Sequence, residues 1–257
     1  MEIVNVYEDS ERAASYAKLE FPGTYYLAYR DLPAIIGEHV KGSKAVDFGC
    51  GTGRSTRFLR RLGLKPIGID IAANMVKKAR ELDPAGDYRL IEDGDLSACE
   101  AYAYDLVLSV FTFDNIPAMG RKVKILTELR KLLNQEGRIV NLVSSPEIYT
   151  HEWASFTTRD FPENAAARSG DNVRIVMTDV EDSRPVEDIL WSDEDYREAF
   201  TRAGLEVVTT HKPLGKPDEA YSWVSETRTS PWVIYVVKAA EPSARILDSG
   251  FRSQESE

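Results

Sequence analysis

The feature that most constrains this chain is a glycine-rich turn near residue 50. Residues 44–56 read KAVDFGCGTGRST, in which a short apolar run leads into Gly49, Gly51 and Gly53. The apolar run predicts a buried strand, and residues 54–62 predict a helix that begins directly after the turn. A strand, a glycine turn and a helix in this order leave free backbone N–H groups at the helix N-terminus. A small ligand can approach them closely because glycine allows positive φ and has no Cβ.

The residues that flank the turn indicate which ligand suits it. Arg54 stands where the dinucleotide-binding pattern G-x-G-x-x-G would place its third glycine, so the spacing here is G-x-G-x-G. Asp47 lies two residues before the first glycine. A carboxylate at that position would repel a bound pyrophosphate, whereas it would attract a ligand that carries an ammonium group and a sulfonium ion. The turn therefore favours a cationic ligand over a dinucleotide.

The same segment carries a resemblance to a known family. VDFGCGTG, residues 46–53, matches at every defined position the first motif of the class I S-adenosylmethionine-dependent methyltransferases, an acidic residue followed by G-x-G-x-G. The resemblance implies S-adenosylmethionine (SAM) as the cofactor and S-adenosylhomocysteine (SAH) as the product. It implies that residues of the turn bind the cofactor, namely Asp47, Gly49, Cys50, Gly51, Gly53 and Arg54.

Strand and helix patterns alternate from residue 44 to residue 145, which predicts a parallel sheet with helices on its faces. With the resemblance, the expected fold class is α/β: a Rossmann-like seven-stranded methyltransferase sheet, mostly parallel, with an antiparallel last strand. We assign residues 44–240 to a SAM-binding methyltransferase domain and residues 1–43 to an N-terminal helical lid. Residues 241–257 are polar and unpatterned, which predicts a disordered tail.

The fifth strand is predicted over residues 138–143, after a turn at residues 135–137, and the alternation stops there. Residues 146–190 are rich in aromatic side chains and include residues 172–177, which alternate as a strand does, and a return strand over residues 184–190. We interpret this stretch as a cap inserted after the fifth strand, where insertions commonly build substrate pockets in this fold. Ser192 is then predicted to cap a helix over residues 193–203, and residues 205–211 and 232–238 resemble the family's closing antiparallel strand pair.

Polar residues at the ends of the next strands extend the expected cofactor site. Asp70 ends the second strand, where an acid can accept hydrogen bonds from both ribose hydroxyls, and Ile71 could lie against adenine. Asp95 and the Leu96 backbone fall where the family reads the adenine amino group and ring nitrogen. Asp93 is an open alternative to Asp95 in that role.

The segment from Ser109 to Asn115 follows the fourth strand. Ligands of open α/β sheets lie beyond the carboxyl ends of strands, at the point where strand order reverses. The segment is therefore predicted to pass beside the sulfonium methyl group, with Ser109 and Phe111 as cofactor-binding residues.

The N-terminal segment is predicted to contain helices capped by Ser10 and by Thr24. These helices could simply pack against the sheet edge. Alternatively they form a lid over the cofactor, as in related small-molecule methyltransferases. In that case Tyr7 or Tyr16 lies against the methionine arm, and Arg30 pairs with its carboxylate.

The catalytic residues are less constrained than the cofactor site. Methyl transfer mainly requires alignment of donor and acceptor, and a general base is needed only when the nucleophile arrives protonated. His151, just beyond the fifth strand, is the best candidate base, with Asp114 and Tyr149 as further catalytic candidates. Glu226 and His211 stay open as alternatives. The sequence lacks a Cys/His metal spacing and clustered carboxylates, so no metal is expected.

Composition restricts the partners of the chain. The net charge of −10 over 257 residues makes nucleic acid unlikely, since phosphate binding needs clustered Lys and Arg. No apolar run approaches the ~20 residues that cross a bilayer, and the N-terminal residues lack a secretory pattern. The two cysteines favour a reduced protein over a disulfide framework. We expect a cytoplasmic protein, monomeric or homodimeric, with a small-molecule substrate and no membrane partner.

These observations favour a SAM-dependent methyltransferase that acts on an O or N atom of a small, aromatic or heteroaromatic metabolite. Two alternatives belong to other classes: a SAM-binding enzyme with non-methylating chemistry, and a nicotinamide- or nucleotide-binding protein. A third is an RNA or protein methyltransferase. It would need a basic stripe near the cap, where only Arg159, Arg168 and Arg174 are available.

Overall fold

The structure, a computed structural model, describes residues 22–241. The predicted Ser10-capped helix, the predicted contacts of Tyr7 and Tyr16, and nearly all of the expected tail lie outside the described residues. The helices and strands in chain order are α1 Gly23–Arg30, α2 Leu32–His39, β1 Lys44–Phe48, α3 Arg54–Arg61, β2 Lys65–Asp70, α4 Ala73–Leu82, β3 Asp87–Leu90, β4 Tyr104–Val110, α5 Met119–Leu132, β5 Leu133–Ser144, β6 Phe156–Thr157, β7 Asn172–Met177, β8 Val186–Ile189, α6 Asp193–Arg202, β9 Leu205–His211 and β10 Trp232–Ala239.

The described strands form a seven-stranded sheet in the order β3-β2-β1-β4-β5-β10-β9. Strands β1, β2, β3, β4 and β5 pair in parallel, and β10 runs antiparallel to both β5 and β9. The continuous apolar runs of β4 and β10 are buried, as central strands with both faces covered require. The expected α/β fold class, mostly parallel with an antiparallel strand at the end of the chain, is confirmed.

Helices cover both faces of this sheet. Side chains of α1, α2 and α3, among them Leu27, Ile36 and Leu59, belong to the core on one face. Side chains of α5 and α6, among them Leu126 and Phe200, belong to the core on the other. Since β1, β2, β4 and β5 are parallel, their carboxyl ends meet along one edge, and the glycine turn after β1 lies on that edge.

The residues between β5 and α6 form a second, three-stranded sheet in the order β6-β7-β8. Strands β7 and β8 pair antiparallel, with Asn172 opposite Ile189, which confirms the predicted strand and its return. Val173, Ile175 and Met177 of β7 share a core with α1 and with Trp232 of β10. We call residues 146–190 the cap.

The start of α6 shows how local sequence sets an element boundary. The Ser192 side chain accepts a hydrogen bond from the Asp195 backbone N–H at 3.1 Å, so Ser192 caps the helix as predicted. Three acidic residues occupy its first turn, where the helix dipole favours negative charge.

Two local predictions were wrong. Helix α1 begins at Gly23 with Pro22 as its N-cap, and the Thr24 hydroxyl binds Glu226 instead of capping the helix. Strand β5 begins at Leu133, although the sequence predicted a turn up to Gly137 and a strand only from Arg138. Leu133 pairs with Tyr104 beyond a register shift in the β4–β5 ladder, a long-range pairing that a Gln-Glu-Gly sequence does not indicate. Among the described helices, none combines the length and apolar character needed to cross a membrane.

Candidate active site

The glycine turn has a backbone that only glycine adopts readily. Gly49, Gly51 and Gly53 have φ values of 72°, 52° and 81°. A Cβ on Gly49 would lie 2.1 Å from the Thr112 hydroxyl oxygen, whereas a Cβ on Gly51 would meet no described atom within 4 Å. The turn is therefore packed against the β4 loop at its first glycine and open at its second. The open side is where a ligand could lie.

Asp47 lies beneath this turn and is fully buried. Its Oδ2 accepts hydrogen bonds from the hydroxyls of Ser55 and Thr56, at 2.7 and 2.6 Å. Among residues 22–241, no donor reaches its Oδ1. Burial raises the pKa of Asp47 to about 6. The group is thus a buried carboxylate with one oxygen that no described donor reaches.

Arg54, the first residue of α3, connects the turn to α1. Its guanidinium carbon lies 5.1 Å from the ring centroid of Tyr25 and 5.3 Å from that of Tyr29, within cation–π distance. Tyr29 is buried, and burial raises its pKa. Two tyrosines of α1 therefore cover the start of α3.

Arg30, predicted to pair with a ligand carboxylate, has partners within the protein. Its guanidinium forms ion pairs with Asp31 and Glu219, each at 2.8 Å, and donates to the Leu214 carbonyl at 2.9 Å. The hydrogen bonds that Arg30 donates to the Asp31 carboxylate raise the pKa of Arg30 above its usual range.

Asp70, at the end of β2, joins two loops. Its Oδ2 accepts a hydrogen bond from the Gly51 N–H and its Oδ1 from the Ala72 N–H, both at 2.8 Å. An ionised carboxylate offers about four acceptor positions, so the Asp70 oxygens can accept more than these two hydrogen bonds. Burial raises the pKa of Asp70. Ile71 beside it is 44% exposed, a large apolar surface at this edge.

The residues after β3 lie at the same sheet edge. Asp95 accepts a hydrogen bond from the Ser97 N–H at 2.8 Å, which lowers its pKa and closes a local turn. Leu96 is buried. Asp93, the alternative to Asp95, forms an ion pair with Arg121 of α5.

The end of β4 contains a strained residue. Phe111 has φ 61°, a left-handed conformation that costs a residue with a Cβ about 1–2 kcal/mol. Its ring lies 4.6 Å from that of Trp232 and 5.9 Å from that of Tyr25. Such strain concentrates at functional sites. Ser109, just before it, is fully buried, and no described group bonds its hydroxyl.

The three catalytic candidates differ in exposure and contacts. His151 is exposed, and its Nδ1 lies 3.1 Å from both the Glu147 carbonyl and the Thr150 hydroxyl. Tyr149 is buried and donates to Asp188 at 3.0 Å. Its pKa is raised, chiefly by burial.

Asp114 is 3% exposed and holds neighbouring elements together. It accepts hydrogen bonds from the Ser144 N–H at 3.1 and 3.2 Å and from the Tyr196 hydroxyl at 3.3 Å. Among the other histidines, His39 and His211 have ring centroids 6.5 Å apart. In the described part of the chain, no set of His, Cys, Asp or Glu side chains is arranged to hold a metal ion.

Sequence reasoning missed Lys122, which is 1% exposed. It donates to the Phe113 carbonyl, and its Nζ lies 4.8 Å from the Trp191 ring and 5.0 Å from the Tyr196 ring. Burial lowers the pKa of Lys122 and raises that of nearby Asp114. A signal was present, because Lys122 stands three residues before Ile125 on the apolar face of α5.

Cavities lie at both ends of the parallel strands. One of about 240 Å³ lies at the carboxyl end of β5, lined by Ser144, Pro146, Trp191, Tyr196 and Lys212 among others. A larger groove of about 760 Å³ lies at the opposite sheet edge, lined by residues such as Lys41, Tyr102 and Arg130. Parallel sheets bind ligands at the carboxyl ends of their strands, so the candidate site is the sheet edge with the glycine turn.

Comparisons with known proteins agree with this geometry. Residues 46–141 match the methyltransferase domain family. The ubiquinone biosynthesis O-methyltransferase of Xanthomonas axonopodis pv. citri is 34% identical over 94 residues, which are 35% of this chain and 39% of that protein. The corresponding enzyme of Xanthomonas oryzae pv. oryzae (strain PXO99A) is 30% identical over 94 residues, with the same coverage of 35% and 39%. The match therefore spans about two fifths of the length of these curated relatives.

Solved structures share the fold over most of the chain. The CcbJ methyltransferase of Streptomyces caelestis aligns with a TM-score of 0.65 and 19% identity, over 91% of this chain and 98% of that one. A SAM-dependent methyltransferase of Clostridium acetobutylicum aligns with a TM-score of 0.60 and 13% identity, over 88% and 94%. At these identities the likeness is one of fold. The chain therefore contains a methyltransferase domain over residues 46–141, with the glycine motif inside it, and shares its fold with solved SAM-dependent methyltransferases.

Proposed function

We propose that this chain transfers a methyl group from SAM to an oxygen or nitrogen atom of a small, aromatic or heteroaromatic metabolite, with SAH as the second product. The observation that carries the proposal is Asp47, a buried carboxylate with one oxygen that no described donor reaches, beneath a turn that is open above Gly51. An acceptor buried without a donor costs about 1–3 kcal/mol, which a cationic ligand would offset.

The residues of the site fit SAM. The free oxygen of Asp47 suits an ammonium group, and the remaining acceptor capacity of Asp70 suits ribose hydroxyls. Exposed Ile71 offers an apolar surface for a purine ring. Gly51 leaves the space that these groups need, since a Cβ there would point into it. We therefore propose Asp47, Gly51, Asp70 and Ile71 as the central cofactor-binding residues.

SAM supplies a methyl group already activated by positive sulfur. The protein then needs to align the acceptor with that methyl group and to exclude water. Phe111 packs against Trp232 and Tyr25 at the end of β4, so the wall nearest the cap is aromatic. Such a wall keeps water out and offers ring faces to an aromatic acceptor.

Oxygen is the favoured acceptor atom. The curated relatives are named as O-methyltransferases of ubiquinone biosynthesis, and their similarity supports the same atom here. A hydroxyl acceptor needs a base to take its proton if it arrives protonated. His151 is exposed to solvent and lies just beyond the fifth strand, so it stays our first candidate, with Asp114 and Tyr149 as the others. The net charge of −10 supports a small-molecule acceptor over nucleic acid. A cytoplasmic location and a monomeric or homodimeric state stay predictions from the sequence.

Calorimetry with SAH beside NAD tests the cofactor half of the proposal. We expect SAH to bind and NAD not to bind, since a pyrophosphate beside Asp47 would be repelled. Methyl-labelled SAM, supplied with a panel of hydroxylated and amino-substituted aromatic compounds, tests the transfer. Label recovered in an acceptor supports the proposal. SAM that binds without loss of its methyl group would favour the non-methylating alternative, and binding of NAD in place of SAH would overturn the assignment.

A further inference from the structure

Glu226 is a fully buried carboxylate in the loop between β9 and β10. Its Oε1 accepts hydrogen bonds from the Thr24 hydroxyl and the Ala154 N–H, both at 2.7 Å. Its Oε2 accepts one from the Val224 N–H at 2.8 Å. One side chain thus binds three segments: α1, the cap and its own loop. Thr24 and Glu226 are 202 residues apart in the chain.

Thr24 is the counterpart of Glu226 in α1. Its backbone N–H donates to the Ser155 hydroxyl at 2.9 Å, and its own hydroxyl accepts from the Ser155 N–H at 3.0 Å. Its carbonyl accepts from the Trp232 indole N–H at 2.9 Å. The neighbouring Gly23 has no room for a side chain, because a Cβ would lie 2.2 Å from the Ser155 hydroxyl oxygen. The first turn of α1 is therefore fixed in position by polar contacts.

This attachment reaches the glycine turn through the rest of α1. Tyr25 follows Thr24 directly, and Tyr29 lies one turn further along. The rings of both tyrosines lie within 5.3 Å of the Arg54 guanidinium, at the start of the helix that follows the glycines. Helix α1 has only 8 residues. A helix so short is marginal by itself, so tertiary contacts must decide where it lies.

We propose that Glu226 is a positioning residue for the cofactor site, acting through Thr24 and α1 to place Tyr25, Tyr29 and Arg54 beside the glycine turn. This inference rests on the proposed function, because it takes the turn to bind SAM. The hydrogen bonds described for Glu226 link it to α1, the cap and its own loop, and none links it to the glycine turn. Its effect on the ligand is carried by the helix.

The test is Glu226→Gln, measured by hydrogen exchange without ligand and by SAH calorimetry. The amide keeps the shape of the side chain but places an NH₂ donor where one carboxylate oxygen accepted. We expect faster exchange of the amides of residues 25–30 and SAH affinity about tenfold lower, since a lost hydrogen bond to a charged group has an effect of this order. Thr24→Val, which removes the hydroxyl at nearly constant volume, should reproduce both changes. Thr24→Ser, which keeps the hydroxyl, should leave both the exchange of α1 and the SAH affinity as in the unaltered protein.

Glu152→Gln is the matched control. Glu152 also accepts bonds from hydroxyl and backbone donors, Thr157 at 2.9 Å and the Thr158 N–H at 2.8 Å, but within the cap alone. The Glu152→Gln variant should have the same SAH affinity as the unaltered protein. Unchanged exchange and affinity in Glu226→Gln, or equal losses in both glutamine variants, would overturn the inference. Absence of SAH binding by the unaltered protein would overturn the proposed function instead, and exchange in α1 would still decide whether Glu226 fixes that helix.

Discussion

The glycine turn and the junction of α1 with the cap each contain a fully buried carboxylate, and the two are paired differently. At the turn, both described donors to Asp47 go to the same oxygen, and no described donor reaches the other. At the junction, both oxygens of Glu226 are used, by donors from three segments. A buried acceptor without a donor destabilises a fold, whereas a fully paired one ties it together. Asp47 therefore has an acceptor position that a ligand can use, whereas both oxygens of Glu226 already bind parts of the protein.

The two regions also differ in how far apart their partners lie in sequence. Asp47 binds Ser55 and Thr56, which are 8 and 9 residues away. Thr24 and Glu226 are separated by 202 residues. The turn is thus a local structure, and the junction exists only once the whole chain has folded.

The largest effects are expected from alanine substitutions at two glycines of the turn. One should mainly reduce stability and the other should mainly prevent SAH binding. Gly49→Ala should lower the free energy of unfolding by about 3 kcal/mol, because its Cβ would meet Thr112 in a left-handed conformation. Gly51→Ala has only the conformational penalty, about 1–2 kcal/mol, yet its Cβ would point into the open space above the turn. It should therefore abolish SAH binding in a protein that still folds. Urea unfolding and calorimetry measure the two effects, and SAH binding retained by Gly51→Ala would place the ligand elsewhere.

Removal of the Asp70 carboxylate, at the end of β2, should weaken SAH binding more than removal of the Asp95 carboxylate, after β3. Asp70→Ala removes the acceptor for Gly51 and Ala72 and, on our proposal, for the ribose. SAH affinity should fall by about 10- to 100-fold, corresponding to hydrogen bonds to a charged group. Asp95→Ala is the control, because Asp95 is exposed and closes its own turn through Ser97. It should change SAH affinity less than Asp70→Ala, and equal losses would contradict this difference between the two acids.

The unpaired oxygen of Asp47 should make SAH binding depend on pH. Burial raises the pKa of Asp47 to about 6, and the ammonium group of SAH favours its ionised form. Free protein therefore holds the proton more tightly than the complex, so affinity should fall below pH 6 by up to about tenfold per unit and level off above pH 7. Calorimetry between pH 5 and pH 8 measures this. Burial also raises the pKa of Asp70, so a variant is needed to assign the pH dependence to Asp47. Asp47→Asn should bind SAH more weakly at every pH and lose most of the pH dependence of binding.

His151 should show the smallest effect. Its ring is exposed, and its nearest polar atoms belong to Glu147 and Thr150 of its own loop. His151→Ala should leave the unfolding midpoint unchanged and SAH affinity within about twofold, as for most surface substitutions. If His151 is the base, the variant should lose turnover with a hydroxyl acceptor and keep SAH binding. A large loss of SAH affinity would move His151 to the cofactor side.

Sequence reasoning was most successful where structure depends on neighbouring residues. The strand-turn-helix around residue 50, the cap strand Asn172–Met177 and the Ser192 cap of α6 follow from spacing and local hydrogen bonds, and the structure has them. It was wrong at Thr24, whose hydroxyl prefers a distant carboxylate to a capping role. It missed Lys122, because a lysine in an amphipathic helix is ordinarily exposed. The roles proposed for individual site residues stay predictions.

By itself, the sequence determined the α/β fold class and the acidic glycine turn, because alternating apolar periodicity and positive-φ positions act within a few residues. Tertiary structure decided the pairing of the carboxylates. Asp47 keeps one unpaired oxygen because α3 brings only two hydroxyl donors to it, both on the same oxygen. Glu226 became a support only because folding brings Thr24 and Ala154 to it from distant parts of the chain. Hydrogen bonds form at about 3 Å, and a sequence read in one dimension does not contain the distances between remote residues.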